Sequence, residues 1–131
     1  MIIHKDASSE KYLLIRRVGI VNNDILRDIL CSIKQGYKQV YGDDIMDIYL
    51  YGSYARGDYE QDSDIDFVAI VKGNRLDLQK KLKVMWDIAA DLGLENDIVI
   101  SPTVIPYNEF LQYQEKLPYY RNIIKEGVKV G

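Results

Sequence analysis

From about Asn22 to Tyr41, the apolar positions Leu26, Leu30, Ile33, Tyr37 and Val40 recur in steps of four and three. That spacing predicts a helix with one buried face. Asn22 or Asn23 stands where a cap would start it and Gly42 where it would end, while Gly36 inside it weakens it by up to ~1 kcal/mol relative to alanine. The period then changes to two. Met46, Ile48 and Leu50 alternate with Asp47, Tyr49 and Tyr51, a strand pattern that stops at Gly52. Ile65 to Val71 is almost wholly apolar, β-branched or aromatic, and predicts a central strand buried on both faces, closed by Lys72-Gly73-Asn74. Leu78, Leu82, Met85, Ala89 and Leu92 mark a second long helix, with Gly93 just past its end. Asp97 to Ser101 predicts a third short strand that Pro102 terminates. The remainder, punctuated by Pro106 and Pro118, reads as two short helices, the last ending at Gly127.

Short strands interleaved with helices predict an α/β (α+β) fold, a small mixed β-sheet flanked by helices. The short link from Leu50 to Asp64 supports an antiparallel or mixed pairing, since parallel neighbours need a longer crossover. No repeat, linker or low-complexity segment divides the 131 residues, which predicts a single domain, 1–131, with a core at about 22–105 and a short helical C-terminal extension.

Composition narrows the function classes. With 47% hydrophobic and 28% charged residues the chain has the make-up of a soluble globule, and no apolar run approaches the roughly 20 residues of a membrane span. The N-terminal Met1-Ile2-Ile3-His4-Lys5-Asp6 carries no secretory pattern, and a lone cysteine, Cys31, agrees with a reducing cytoplasm. A net charge of −3 argues against direct nucleic-acid binding and leaves small molecules or another protein as partners.

The chemistry concentrates in Gly52-Ser53-Tyr54-Ala55-Arg56-Gly57 and the following Ser63-Asp64-Ile65-Asp66. Gly52 ends a strand at a point where a side chain would block a ligand from the backbone. Ser53 is positioned to cap a short helical turn whose N–H groups point outward, an anion site. Asp64 and Asp66, two apart at the head of a strand, leave the same face roughly 6–7 Å apart. Their mutual repulsion is relieved by exposure or by a cation, and Mg²⁺ takes one or two carboxylates plus substrate phosphates. Asp97, at the start of the third expected strand, would lie about 5–6 Å from Asp66 if the two strands are neighbours. A third carboxylate there serves as a base on an attacking hydroxyl or as a shared metal ligand. Arg56 either meets a phosphate or ties the loop to Asp58 or Asp62.

Gly52-Ser53, ten residues, Asp64-Ile65-Asp66 and a later Asp97 resemble the polymerase-β-type nucleotidyltransferase superfamily. More narrowly, the Gly52–Gly57 and Ser63–Phe67 segments are similar to those of the minimal nucleotidyltransferases (MNT), many of which are antitoxins paired with a HEPN-domain toxin. The resemblance implies a Mg²⁺-dependent enzyme that takes ATP, binds its phosphates at Gly52, Ser53 and Arg56, and holds metal at Asp64, Asp66 and Asp97, the same three carboxylates being catalytic. It implies transfer of AMP to a tyrosine of the toxin, in a hetero-oligomer with that partner. Two other readings stay open: neutralisation by binding alone, and transfer to a small molecule such as an aminoglycoside. Only about 30 residues follow Ser101, few for the acceptor domain the last would use.

Other residues read more plainly. Lys72, Lys80, Lys81 and Lys83 are expected on solvated faces, and His4 lacks companions for a zinc site. Cys31 is expected to be a small packed side chain, and Trp86 a core or interface anchor. Of eleven tyrosines, Tyr107, Tyr113, Tyr119 and Tyr120 gather near the end and suit a partner surface.

Overall fold

A computed structural model describes residues 23–130. The expectations for the first residues, for His4, and for a cap at Asn22 or by the Asn23 side chain lie outside the described residues. Helix α1 (Asn23–Tyr41) buries Leu26, Leu30, Ile33 and Tyr37 of the predicted stripe, together with Ile29, while Val40 packs only partly buried against the core. The chain leaves it through a single 3₁₀ turn, Gly42–Asp44, into strand β1 (Ile45–Tyr51). A short helix, α2 (Ser53–Arg56), and a loop return it as strand β2 (Ile65–Val71). Helix α3 (Arg75–Asn96) follows, then strand β3 (Ile100–Pro106), helices α4 (Tyr107–Tyr113) and α5 (Pro118–Glu126), and a two-residue strand β4 (Val128–Lys129).

The four strands form one mixed sheet in the order β3-β2-β1-β4. β1 lies antiparallel to both β2 and β4, while β2 and β3 run parallel, joined by α3 as the crossover that parallel neighbours need. β2 is therefore central, and six of its seven residues are buried. On one face α1 and α3 cover the larger core, built on residues such as Ile33, Leu50, Phe67 and Met85. Two tyrosines of α1 fasten this layer. Tyr41 donates to the Leu78 carbonyl of α3 at 2.8 Å, and Tyr37 donates to the Thr103 carbonyl of β3 at 2.7 Å. The opposite face carries a smaller cluster under α4 and α5, with Tyr49, Val68, Ile70, Ile105, Phe110 and Ile123.

Four local expectations need correction. A β-bulge between Ile45 and Asp47 turns Met46 out to solvent, so the strict alternation holds only from Ile48 onward. Gly93 lies inside α3 and does not end it. Ile98 N–H bonds back to the Gly93 carbonyl at 3.0 Å, and a Cβ at Gly93 would stand 2.4 Å from the Ile98 oxygen. The glycine answers a close approach of the chain, and Asp97 (φ 54) makes the left-handed exit, a conformation aspartate tolerates. Asp97 is consequently the C-cap of α3 and no strand residue. β3 starts at Ile100 and runs through Pro102, because an edge strand accepts a residue without an N–H. β4 was not foreseen, two residues being too short for a pattern. It pairs with Tyr49 and Leu50, and the Val130 N–H continues the ladder to the Ile48 carbonyl at 2.8 Å.

Gly36 also has a packing reason: a Cβ there would meet Met85 and Ile88 of α3 at 3.2 Å, so its absence brings the two helices together. Trp86 is 51% exposed and stands outside the core, Cys31 is half-buried, and the four lysines are exposed. No helix among the described residues is long and apolar enough to cross a membrane.

Candidate active site

The antiparallel register sets Tyr51, the last residue of β1, opposite Asp66 near the start of β2. The chain leaves β1 at Gly52 with φ 75 and ψ −151, a region essentially closed to other residues. A Cβ on Gly52 would lie 2.6 Å from Asp66 Oδ2. The carboxylate thus occupies the volume a side chain at position 52 would need. Gly52 is also the N-cap of α2, its carbonyl accepting the N–H groups of both Ala55 and Arg56 at 3.1 Å. This corrects the expected role of Ser53, which is the first helical residue and makes no capping bond. The N–H groups of Ser53 and Tyr54 head the turn, where a helix offers no acceptor of its own.

Asp66 is half-buried and Asp64 exposed. Asp66 alternates onto the face of Val68 and Ile70, the side covered by α4 and α5. Burial first, and the charge of Asp64 second, push its carboxyl above the usual range, with Arg56 pulling the other way. Two hard oxygen donors that repel each other at the mouth of a sheet fit a Mg²⁺ ion shared with nucleotide phosphates. Among the described residues no group of three or more His, Cys, Asp or Glu side chains is arranged to hold an ion by itself.

Arg56 Nε bonds Asp58 at 3.2 Å, and a terminal nitrogen approaches Glu126 of α5 at 3.6 Å. Of the two sequence-based expectations, the loop tie to Asp58 is formed, and Glu126 joins it. Both pairs are about 40% exposed or more on the arginine side, so neither holds the guanidinium firmly.

Asp97 does not join Asp66. The β3 residue in register with Asp66 is Ser101. Asp97 instead lines a broad groove of about 910 Å³ between α3 and β3, together with Asp62, Ser63, Trp86 and Leu94. Asp66 lines a smaller pocket of about 240 Å³ with Tyr51, Thr103 and Tyr119. Ser101 and Thr103 border both hollows.

Residues 24–130 match the nucleotidyltransferase domain family. The chain belongs to that family. Three proteins of Methanocaldococcus jannaschii designated "putative protein adenylyltransferase" are similar to this nucleotidyltransferase. MJ0141 is 36% identical over 77 residues, 59% of this chain and 76% of that protein. MJ1305 is 36% identical over 88 residues, 65% of this chain and 58% of its own length. MJ0604 is 31% identical over 90 residues, 69% and 82% of the two chains. Two solved structures overlap more loosely. A toxin-antitoxin crystallised with AMP-PNP gives a TM-score of 0.48 at 18% identity, covering 76% of this chain and 70% of that one. A mutant of the toxin-antitoxin MntA-HpeT gives 0.47 at 18%, covering 80% and 70%.

In this nucleotidyltransferase the residues that sequence reasoning missed are Tyr51, Thr103 and Tyr119. Tyr51 was findable, since the antiparallel return makes the residue before Gly52 the neighbour of Asp66. Thr103 was hidden by the expectation that Pro102 ends the strand. Tyr119 reaches the pocket only through the packing of α5, for which no local pattern exists.

Proposed function

We propose that the chain is a Mg²⁺-dependent protein adenylyltransferase that acts in the cytoplasm as an antitoxin, moving AMP from ATP to a tyrosine of a HEPN-domain toxin with which it assembles. The observation that carries the chemistry is the Asp66 carboxylate seated against Gly52 beside Asp64. The three relatives' designation as protein adenylyltransferases supports a protein acceptor. The Gly52-Ser53 and Asp64-Ile65-Asp66 motif supports the antitoxin role by its likeness to the minimal nucleotidyltransferases.

In this reading Asp64 and Asp66 hold the ion, which when bound neutralises triphosphate charge and polarises the phosphoryl oxygens. The N–H groups at the head of α2 and the Ser53 hydroxyl bind phosphate, and Arg56 exchanges Asp58 for a phosphate oxygen. The acceptor hydroxyl oxygen bonds to the α-phosphorus, the bond from that phosphorus to the bridging oxygen breaks, and pyrophosphate leaves. A carboxylate takes the hydroxyl proton. Asp97, which the motif alone brings into the proposal, is assigned this role. Alignment and charge neutralisation supply most of the acceleration in such transfers.

The test is intact mass spectrometry of the partner protein after incubation with this chain, ATP and Mg²⁺. A gain of one or more AMP, absent with Asp64→Asn/Asp66→Asn, is expected. A stable complex with unchanged mass would replace transfer by neutralisation through binding.

A further inference from the structure

Tyr119, in the first turn of α5, lines the pocket that holds Asp66. Its ring meets Tyr51 edge-on, with centroids 5.6 Å apart and planes at 90°, and Tyr51 is the register partner of Asp66. The neighbouring aromatic residues Tyr51, Tyr107 and Tyr120 pack against the smaller core, whereas Tyr119 stands 44% exposed. A phenol therefore shares the pocket of Asp66 without being locked into the interior. Tyr37 and Tyr54, by contrast, are fully buried.

Resting on the nucleotidyl-transfer reading above, we infer that Tyr119 is an acceptor in its own right, so that the chain transfers AMP to itself when no partner occupies the site. Tyr119 Oη bonds to the α-phosphorus of ATP, the bond between that phosphorus and the oxygen bridging to the β-phosphorus breaks, and pyrophosphate departs. The phenolic proton passes to a carboxylate of the site and on to solvent. The product is a phosphodiester of tyrosine, and no oxidant or reductant is involved.

The purified chain alone, with ATP and Mg²⁺, is digested and mapped by tandem mass spectrometry, and a parallel sample contains the partner protein. AMP on Tyr119 in the first sample, retained in Tyr120→Phe and lost in Tyr119→Phe, is the expected result. Label on the partner but none on this chain, or label on Tyr51 or elsewhere in this chain, overturns the inference and leaves the transfer reading intact. Label on neither protein overturns both. A second measurement needs no turnover: a non-hydrolysable ATP analogue with Mg²⁺ should protect Tyr119 from iodination in the peptide map. Unprotected iodination would mean that the phenol does not face the nucleotide.

Discussion

Asp66 Oδ2 sits 2.6 Å from the point where Gly52 would carry a Cβ. One residue ends β1 and the other opens β2, so the glycine and the carboxylate shape a single small volume. The backbone at Gly52 is also in a conformation closed to side chains. Gly52→Ala should thus lower stability by about 1–3 kcal/mol and displace the carboxylate. Denaturant unfolding together with a transfer assay checks this, and a variant of unchanged stability and activity contradicts it.

Asp66 carries a pH signature of known sign. Its folded-state carboxyl is raised, chiefly by burial and next by Asp64. The contribution to stability is accordingly full at low pH and lost as pH rises through the folded value. Asp66→Asn removes that loss. We expect the variant to melt higher than the parent at pH 7, with the gap closing as the solution is acidified into the carboxylate range, while transfer is abolished. Melting curves across pH 4–7 would refute it if the gap widened on acidification.

Arg56 is tied by two exposed pairs, to Asp58 and Glu126. Pairs of this kind are each worth at most about 1 kcal/mol. Arg56→Ala should leave the melting temperature nearly unaltered and raise the KM for ATP. A large fall in stability with an unaltered KM would assign the residue to the loop alone.

Asp97 combines a left-handed backbone, φ 54, with an exposed side chain. Asparagine accepts the same backbone, so Asp97→Asn should keep stability within about 0.5 kcal/mol. If Asp97 is the base, transfer falls by about 10²–10⁴. Undiminished kcat in the variant would reduce the site to Asp64 and Asp66.

The Tyr54 ring is fully buried and stacks on Tyr59 at 4.0 Å, yet its hydroxyl has no hydrogen-bond partner among the described residues. A buried donor left unpaired costs about 1–3 kcal/mol. Tyr54→Phe should therefore raise stability slightly, measured by chemical denaturation. A marked loss would reveal a bond that the phenol makes in solution.

The long periodic elements were legible because burial on one face leaves a regular trace: the α1 stripe, the apolar β2 and the α3 stripe all stand where their spacing puts them. Gly52 and Asp66 were also legible, since a strand end and a strand start adjoin across a tight return. The stretch from Gly93 to Pro102 misled because its two punctuating residues act through tertiary contact. Gly93 makes room for the Ile98 carbonyl, and Pro102 is admitted by its place on the sheet edge. That displaced the expected strand and separated Asp97 from Asp66. Local sequence carries no record of which backbone will fold back against a glycine.

Among the described residues both margins of the sheet are blunt. β3 carries Pro102 and Pro106, neither with a hydrogen to donate, and β4 offers only two residues. Along the described edges a second chain meets a proline-interrupted strand on one side and a two-residue strand on the other, which disfavours edge-to-edge aggregation. A protein partner meeting these edges finds side-chain surfaces in place of a long main-chain ladder.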